Sequence, residues 1–511
     1  MLFDSFSFLF IFLPAVWFGF QILCWTRCSN WLIMSWLIAT SLYFYGSVYG
    51  SAIILFLVLA GINFGVGRSL RSAAAEHAPC TGLLWLGVLI NAGSLIGLKY
   101  LPAATGFRGV LLPVGFSFFI FAQIQYLVDA RQGNAPAIPP LRYVLFSIWF
   151  PYMLSGPIVK AEEIIGQFQF DRARLNDLTL GVSYIAIGLF KKCCLASAAT
   201  AVAVPFFMPG SPWLHTPAFP AWTGALAFTL QIYFDFSGYS DMAIGVARLF
   251  GIRLPINFSS PLKAVNISEF WSHWHMTLTR FLTSYIYYPL ALIVSRARIA
   301  RTKTRPGEAS MSLPNFLETV ACPLIVTMLI TGAWHGAQWT FVVFGLLHGV
   351  YLSAMHGWHL IKARVRVPML PKPLAQLTAR ILMLGSLAAS MVFFGSPDCS
   401  SACSMLASMA GVHGWLTRNA PFPTPLGQSL STLTVLFLIV FFLPNSQEWL
   451  SRDEAPVSPL PRVRLSEPGV LQRWFWQTRP RFALIWGALL PPAIIAILAS
   501  PGSSGFIYFK F

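Results

Sequence analysis

Apolar runs near the length of a bilayer-crossing helix recur along the whole of this chain. Clear ones run from about Phe8 to Trp25, Trp31 to Phe44, Ser51 to Gly65, Leu83 to Leu98 and Val110 to Val128. Later ones cover about Leu180 to Phe207, Ala221 to Tyr233, Phe281 to Val294, Leu426 to Leu443 and Phe482 to Ala499. In lipid the backbone must satisfy its own polar groups, so such runs become helices. The alternation that marks a membrane β-barrel is absent. Over 511 residues, 56% are hydrophobic and 10% are charged, against about 25% charged in soluble proteins. The expected fold is an all-α polytopic membrane protein with about a dozen transmembrane or re-entrant helices. A single membrane domain is expected over 1–511, with a core at about 110–359, where polar residues cluster and function is to be sought, and C-terminal helices and a tail at about 379–511.

The net charge of +17 would suggest nucleic acid as a partner in a soluble protein. Here the basic residues gather in particular loops, which the positive-inside rule places in the cytoplasm, and nucleic acid is set aside. One such loop carries Arg296, Arg298, Arg301, Lys303 and Arg305, and a second Lys362, Arg364, Arg366, Lys372 and Arg380. The third holds Arg452, Arg462, Arg464, Arg473, Arg479 and Arg481, whereas Gly395 to Pro425 has Arg418 as its only Lys or Arg. That stretch is therefore expected outside, as is the segment after the last helix. The start, Met1-Leu2-Phe3-Asp4, lacks the basic residues of a secretory signal, so the first helix is expected to stay in the protein. The cysteines show no metal-ligand spacing, and no metal is expected; Cys399 and Cys403 are a candidate pair if the outer side is oxidising.

Ionisable residues within a membrane body are costly and tend to mark function, and four segments hold them. In Thr331-Gly332-Ala333-Trp334-His335-Gly336-Ala337-Gln338-Trp339-Thr340, apolar runs on both sides predict a hairpin or a broken helix at His335. A neutral imidazole walled by Trp334 and Trp339 suits a general base toward a hydroxyl; a structural histidine bonded to a carbonyl fits equally well. In Glu269-Phe270-Trp271-Ser272-His273-Trp274-His275, the spacing offers no third metal ligand. This segment either adds a polar group to a reaction chamber or forms a structural Trp/His cluster. In Gln231 to Met242, Asp235, Ser237, Tyr239 and Asp241 either line a polar cavity or fix a helix break, and Asp241 is a candidate helix cap. Leu154-Ser155-Gly156-Pro157-Ile158-Val159-Lys160 reads as a re-entrant or interfacial turn. Two classes stay open on these residues: an enzyme working across the bilayer, and a transporter with a histidine proton relay.

Taken in order, the segments resemble the membrane-bound O-acyltransferase family, in its polysaccharide O-acetylation branch. The resemblance is carried by Pro113-Val114-Gly115-Phe116-Ser117-Phe118-Phe119, Ser155-Gly156-Pro157-Ile158, Gly188-Leu189-Phe190-Lys191-Lys192 and Tyr233 to Asp241. It continues through Asn257-Phe258, Glu269-Phe270-Trp271 with Trp274-His275, and Gly332 to Thr340. It implies a ring of tilted helices around a thin central funnel, with His335 as the essential histidine and His275 in support. Trp334, Trp339, Thr340, Gln338, Trp271, Trp274, Asp235, Ser237, Tyr239 and Asp241 would line the funnel. The implied donor is an acyl thioester, acetyl-coenzyme A, used as a substrate with no cofactor held permanently. The tail Phe506-Ile507-Tyr508-Phe509-Lys510-Phe511 resembles the aromatic end of related bacterial acyltransferases, which makes Tyr508 an acyl carrier; an interfacial aromatic anchor is the other reading. The resemblance further implies a bacterial inner-membrane location among membrane lipids, a serine-hydrolase-like extracytoplasmic acetyltransferase partner and a polysaccharide synthase complex. A D-alanyl transferase fed by a carrier protein is the alternative within the family.

Overall fold

The computed structural model describes residues 2–105, 112–170, 175–302, 312–364, 371–415, 425–450 and 480–499. Every regular element among the described residues is a helix, as apolar runs that must close their own hydrogen bonds require. In chain order the main helices begin with α1 (Ser7–Trp25), α2 (Asn30–Tyr49), α3 (Ala52–Ala75), α4 (Thr81–Pro102) and α5 (Phe116–Arg131). There follow α6 (Asn176–Phe207), α7 (Ala218–Leu249), α8 (Ile267–His273) and α9 (Met276–Leu282). The last of this set are α10 (Leu313–His335), α11 (Trp339–Arg364) and α12 (Lys372–Gly395). Among the described residues eight of these, α1 to α4, α6 and α10 to α12, are long and apolar enough to cross a membrane. The expected dozen is larger because it counts shorter apolar helices such as α5, with 16 residues, and Leu426–Phe442, with 17. The chain is thus an all-helical, multi-pass membrane protein. The stretch expected outside holds a helix, Cys399–Met409, and its Cys399 and Cys403 are free thiols.

The chain folds into two interleaved units. Among the described residues the first comprises those of 2–194, 235–257 and 446–499, and the second those of 195–234 and 258–445. In the first, the polar cluster of α7 proves to lie on an unbroken helix of 32 residues. This corrects the reading of Asp235 to Asp241 as a helix break, and of Asp241 as a cap. Gly188 of α6 sits against the Gly238 carbonyl, and Gly181 against that of Gly245, so the two backbones touch where a side chain would collide. Gly115, left-handed at φ 83°, packs in the same way on the backbone of Met153 and Leu154. Motifs far apart in sequence therefore meet in pairs.

In the second unit, α10 and α11 form the hairpin that the glycines around His335 suggest. The apolar runs extend to full spanning length, and α10 ends at His335 before an extended Gly336. A side chain on Gly332 would strike the Phe341 carbonyl, and one on Gly345 the Met328 carbonyl. Gly345→Val is accordingly expected to destabilise the protein by about 2 kcal/mol, the usual scale for forcing methyl groups into a packed site. Thermal unfolding in detergent measures this; an unchanged melting temperature would contradict the close approach.

Candidate active site

His335, at the end of α10, is 5% exposed. Its ring lies in an aromatic box of Trp334, Phe341, Phe344 and Phe394, with centroid distances of 4.7, 6.4, 5.9 and 5.0 Å. The Trp334 indole also faces His275, at 6.3 Å. One tryptophan thus separates the two histidines that the sequence singled out. Trp339 is 75% exposed and Gln338 is exposed too. The wall expected of Trp339 is supplied by Phe344 and Phe394 instead. Thr340 is buried, and its hydroxyl has no hydrogen-bond partner among the described residues, so an acceptor or donor group from a bound molecule could meet it.

His275 joins α8 to α9 and is held in the left-handed region at φ 41°, ψ 53°. A non-glycine residue there stores about 1–3 kcal/mol of strain, which the surroundings must impose. Phe258 stacks on the imidazole at 6.4 Å, while Trp274 packs on Phe258 at 5.0 Å and on Phe270 at 5.4 Å. Asn266 starts α8 by accepting from the Glu269 N–H at 2.8 Å, and the Glu269 carboxylate accepts from the Val265 N–H at 2.9 Å. Asn266 thus caps α8 while Glu269 pins the residue before the cap, which assigns Glu269 to structure; the Asn-x-x-Glu spacing was visible in the sequence. His273 turns its Nδ1 to the Glu269 carbonyl, 2.7 Å away.

Burial pushes His275 down, to about 3, so the ring is neutral near pH 7. Its folded value lies below the unfolded one of about 6.5, so the unfolded chain binds the extra proton as pH falls through 6.5. Stability is present above that pH and lost below it, by about 2 kcal/mol from this group between pH 6.5 and pH 5. Melting curves in detergent at both pH values check this. Wild type is expected to lose more than His275→Gln, and equal losses would contradict it.

A histidine that sequence reasoning passed over completes this unit. His348, fully buried on α11, receives the Trp271 indole N–H on Nδ1 at 3.2 Å and places Nε2 2.9 Å from Ser390 of α12. Trp271, expected in the funnel, thus commits its polar edge to His348.

Asp235, Ser237, Tyr239 and Asp241 are assigned to the first unit, and there they meet a buried charge cluster. Lys192 bonds Asp235 and lies 3.7 Å from Asp4, while Lys191 donates to Asp241 at 2.7 Å. Ser446 and Gln447 also donate to Asp241, and Tyr184 donates to Gln447 at 2.8 Å. Tyr239 stacks on Phe3 at 5.0 Å, and Ser237 is buried. Nearby, Asn257 donates to Ser240 at 3.2 Å. Burial holds the Asp4 carboxyl above its usual range, in keeping with three carboxyls sharing two ammonium groups. Among the described residues no three His, Cys, Asp or Glu side chains gather as a metal site. Tyr508 lies outside the described residues.

Residues 64–303 match the family described as the membrane-bound O-acyltransferase family. The match includes both lysines, α7 and His275, and ends before His335. The chain is 34% identical to a peptidoglycan O-acetyltransferase of Helicobacter pylori, over 81% of this chain and 80% of that one. It is 30% identical to a probable alginate O-acetylase of Azotobacter vinelandii, over 86% and 84% of the two chains. A teichoic acid D-alanyltransferase of Streptococcus thermophilus is 27% identical, over 52% of this chain and 61% of its own.

Proposed function

The chain belongs to the membrane-bound O-acyltransferase family, and from that premise we propose that it takes acetyl from cytoplasmic acetyl-coenzyme A and delivers it for O-acetylation of an extracytoplasmic polysaccharide. The observation that carries this reading is the pair of buried histidines on either side of Trp334. His335 acts as general base: its imidazole takes the proton of an attacking hydroxyl, whose oxygen forms a bond to the thioester carbonyl carbon. The carbon–sulfur bond then breaks, and the leaving thiolate takes the proton back from the imidazolium. Burial of the box removes water that would compete as nucleophile and strengthens the electrostatic contribution of the ring. His275, neutral and rigidly held, supports the site without carrying charge. The donor is a substrate, and the protein needs no permanently bound group for this step.

The first acceptor in this scheme is the Tyr508 hydroxyl, in the tail that the loop charges assign to the outer side. The acyl-tyrosine ester then passes to the serine of an extracytoplasmic, serine-hydrolase-like acetyltransferase working with a polysaccharide synthase in a bacterial inner membrane. Alginate and peptidoglycan are the acceptors in the names of two relatives, and both are candidates here. Labelled acetyl-coenzyme A with the purified protein tests the reaction. Release of coenzyme A with transfer of label to the protein, both dependent on His335, is expected, and no release and no labelling by wild type would overturn the reading. Tyr508→Phe keeps an aromatic anchor and removes the nucleophile. It is expected to lower acetylation of the acceptor at least about tenfold; normal acetylation would sink the relay alone. D-alanyl transfer has support from the D-alanyltransferase relative, with about half the chain covered. A D-alanyl thioester on a carrier protein, offered in competition, separates the two donors.

A further inference from the structure

The hydrogen bonds around His348 fix its protonation. An indole N–H only donates, so Nδ1 of His348 accepts from Trp271, and the proton of the neutral ring stands on Nε2. Ser390 spends its own hydroxyl proton on the Leu387 carbonyl at 2.8 Å, which leaves its oxygen to accept from that Nε2–H. Every polar atom in the chain Trp271–His348–Ser390–Leu387 is satisfied, and a second proton on the ring would set N–H against N–H. His348 is therefore a poor proton carrier. Its value is geometric.

The clamp joins three helices, and each partner stands four residues from a residue of the candidate site. Trp271 on α8 is four residues before His275. His348 on α11 is four after Phe344, whose ring lies 4.5 Å from His348 and 5.9 Å from His335. Ser390 on α12 is four before Phe394, whose ring lies 5.0 Å from His335 and 5.1 Å from Phe344. One imidazole thus sets two walls of the His335 box and the start of the strained joint at His275. We propose that His348 is a positioning residue for acyl transfer, acting through Trp271 and Ser390 to hold His335 and His275 in register. This rests on the reading of His335 as the base.

The test compares His348→Leu, which keeps bulk but loses both bonds, with His348→Gln, whose amide offers one acceptor and one donor. His348→Leu is expected to lower kcat at least about tenfold with KM for acetyl-coenzyme A within about twofold, since small displacements of a reacting group cost rate rather than binding. His348→Gln is expected to recover most of that loss, and Ser390→Ala, a gentler change that keeps the fold if Leu does not, to fall between them. Nitrogen-15 NMR of histidine-labelled wild type is expected to show His348 as the Nε2–H tautomer, with the His335 and His275 signals moved in His348→Leu and restored in His348→Gln. Equal kcat in folded His348→Leu and wild type, no advantage of Gln over Leu, or unmoved His335 and His275 signals would each overturn the proposal. If wild type leaves acetyl-coenzyme A intact, the reading of the reaction fails, and the NMR comparison still decides the clamp.

Discussion

His335→Ala is expected to lower release of coenzyme A from acetyl-coenzyme A by about 10²–10⁴-fold, the range for loss of a positioned general base. The ring sits in a box of four aromatic side chains and at the very end of α10. Truncation there removes the base but no hydrogen bond internal to a helix. A stability loss of about 1–3 kcal/mol from the emptied box is the structural cost, and it is measured separately by melting in detergent. His335→Gln separates chemistry from structure. An amide can bond a carbonyl as well as an imidazole N–H does, so a purely structural His335 would be rescued by Gln. A base would not, because an amide takes no proton near pH 7. Activity of folded His335→Gln within tenfold of wild type would place the base elsewhere.

What the sequence made legible follows from how far each signal reaches. Apolar length and glycine placement are local, and the α10–α11 hairpin with its turn at His335 was readable from them. The partner of a buried polar group is a long-range fact. Trp271 and Ser390 lie 77 and 42 positions from His348, and His348 stands alone in an apolar run, so nothing nearby marked it. Asp235 and Asp241 were visible as polar residues just after a membrane-length run, open to lining a cavity or fixing a break. The helix instead runs through unbroken because Lys192 and Lys191, 43 and 50 positions away, answer the two carboxylates. Both lysines were noticed only as part of a family motif. Trp339 differs again: adjacency to His335 in sequence does not make it a wall of the histidine once the chain turns at Gly336, and its side chain is exposed. The cap formed by Asn266 and Glu269 was readable, yet Glu269 drew attention as a neighbour of His273.

The lysines also yield the second large effect. Lys192 is 4% exposed and serves two carboxylates, Asp235 directly and Asp4 at 3.7 Å. Removing one member of a buried ion pair costs about 3–5 kcal/mol, because the other charge stays buried without its partner. Lys192→Met keeps the aliphatic length and is expected to destabilise the protein by that amount, seen as a lower melting temperature and less protein recovered from the membrane. The cost should arise from the stranded carboxylate rather than from lost packing. Asp235→Asn in the Lys192→Met background is therefore expected to restore stability, so that the double variant is more stable than Lys192→Met alone. Asp4→Asn in the same background is expected to recover less, since the longer contact carries less of the pairing. Additive losses in the double variant would show that the two residues act independently.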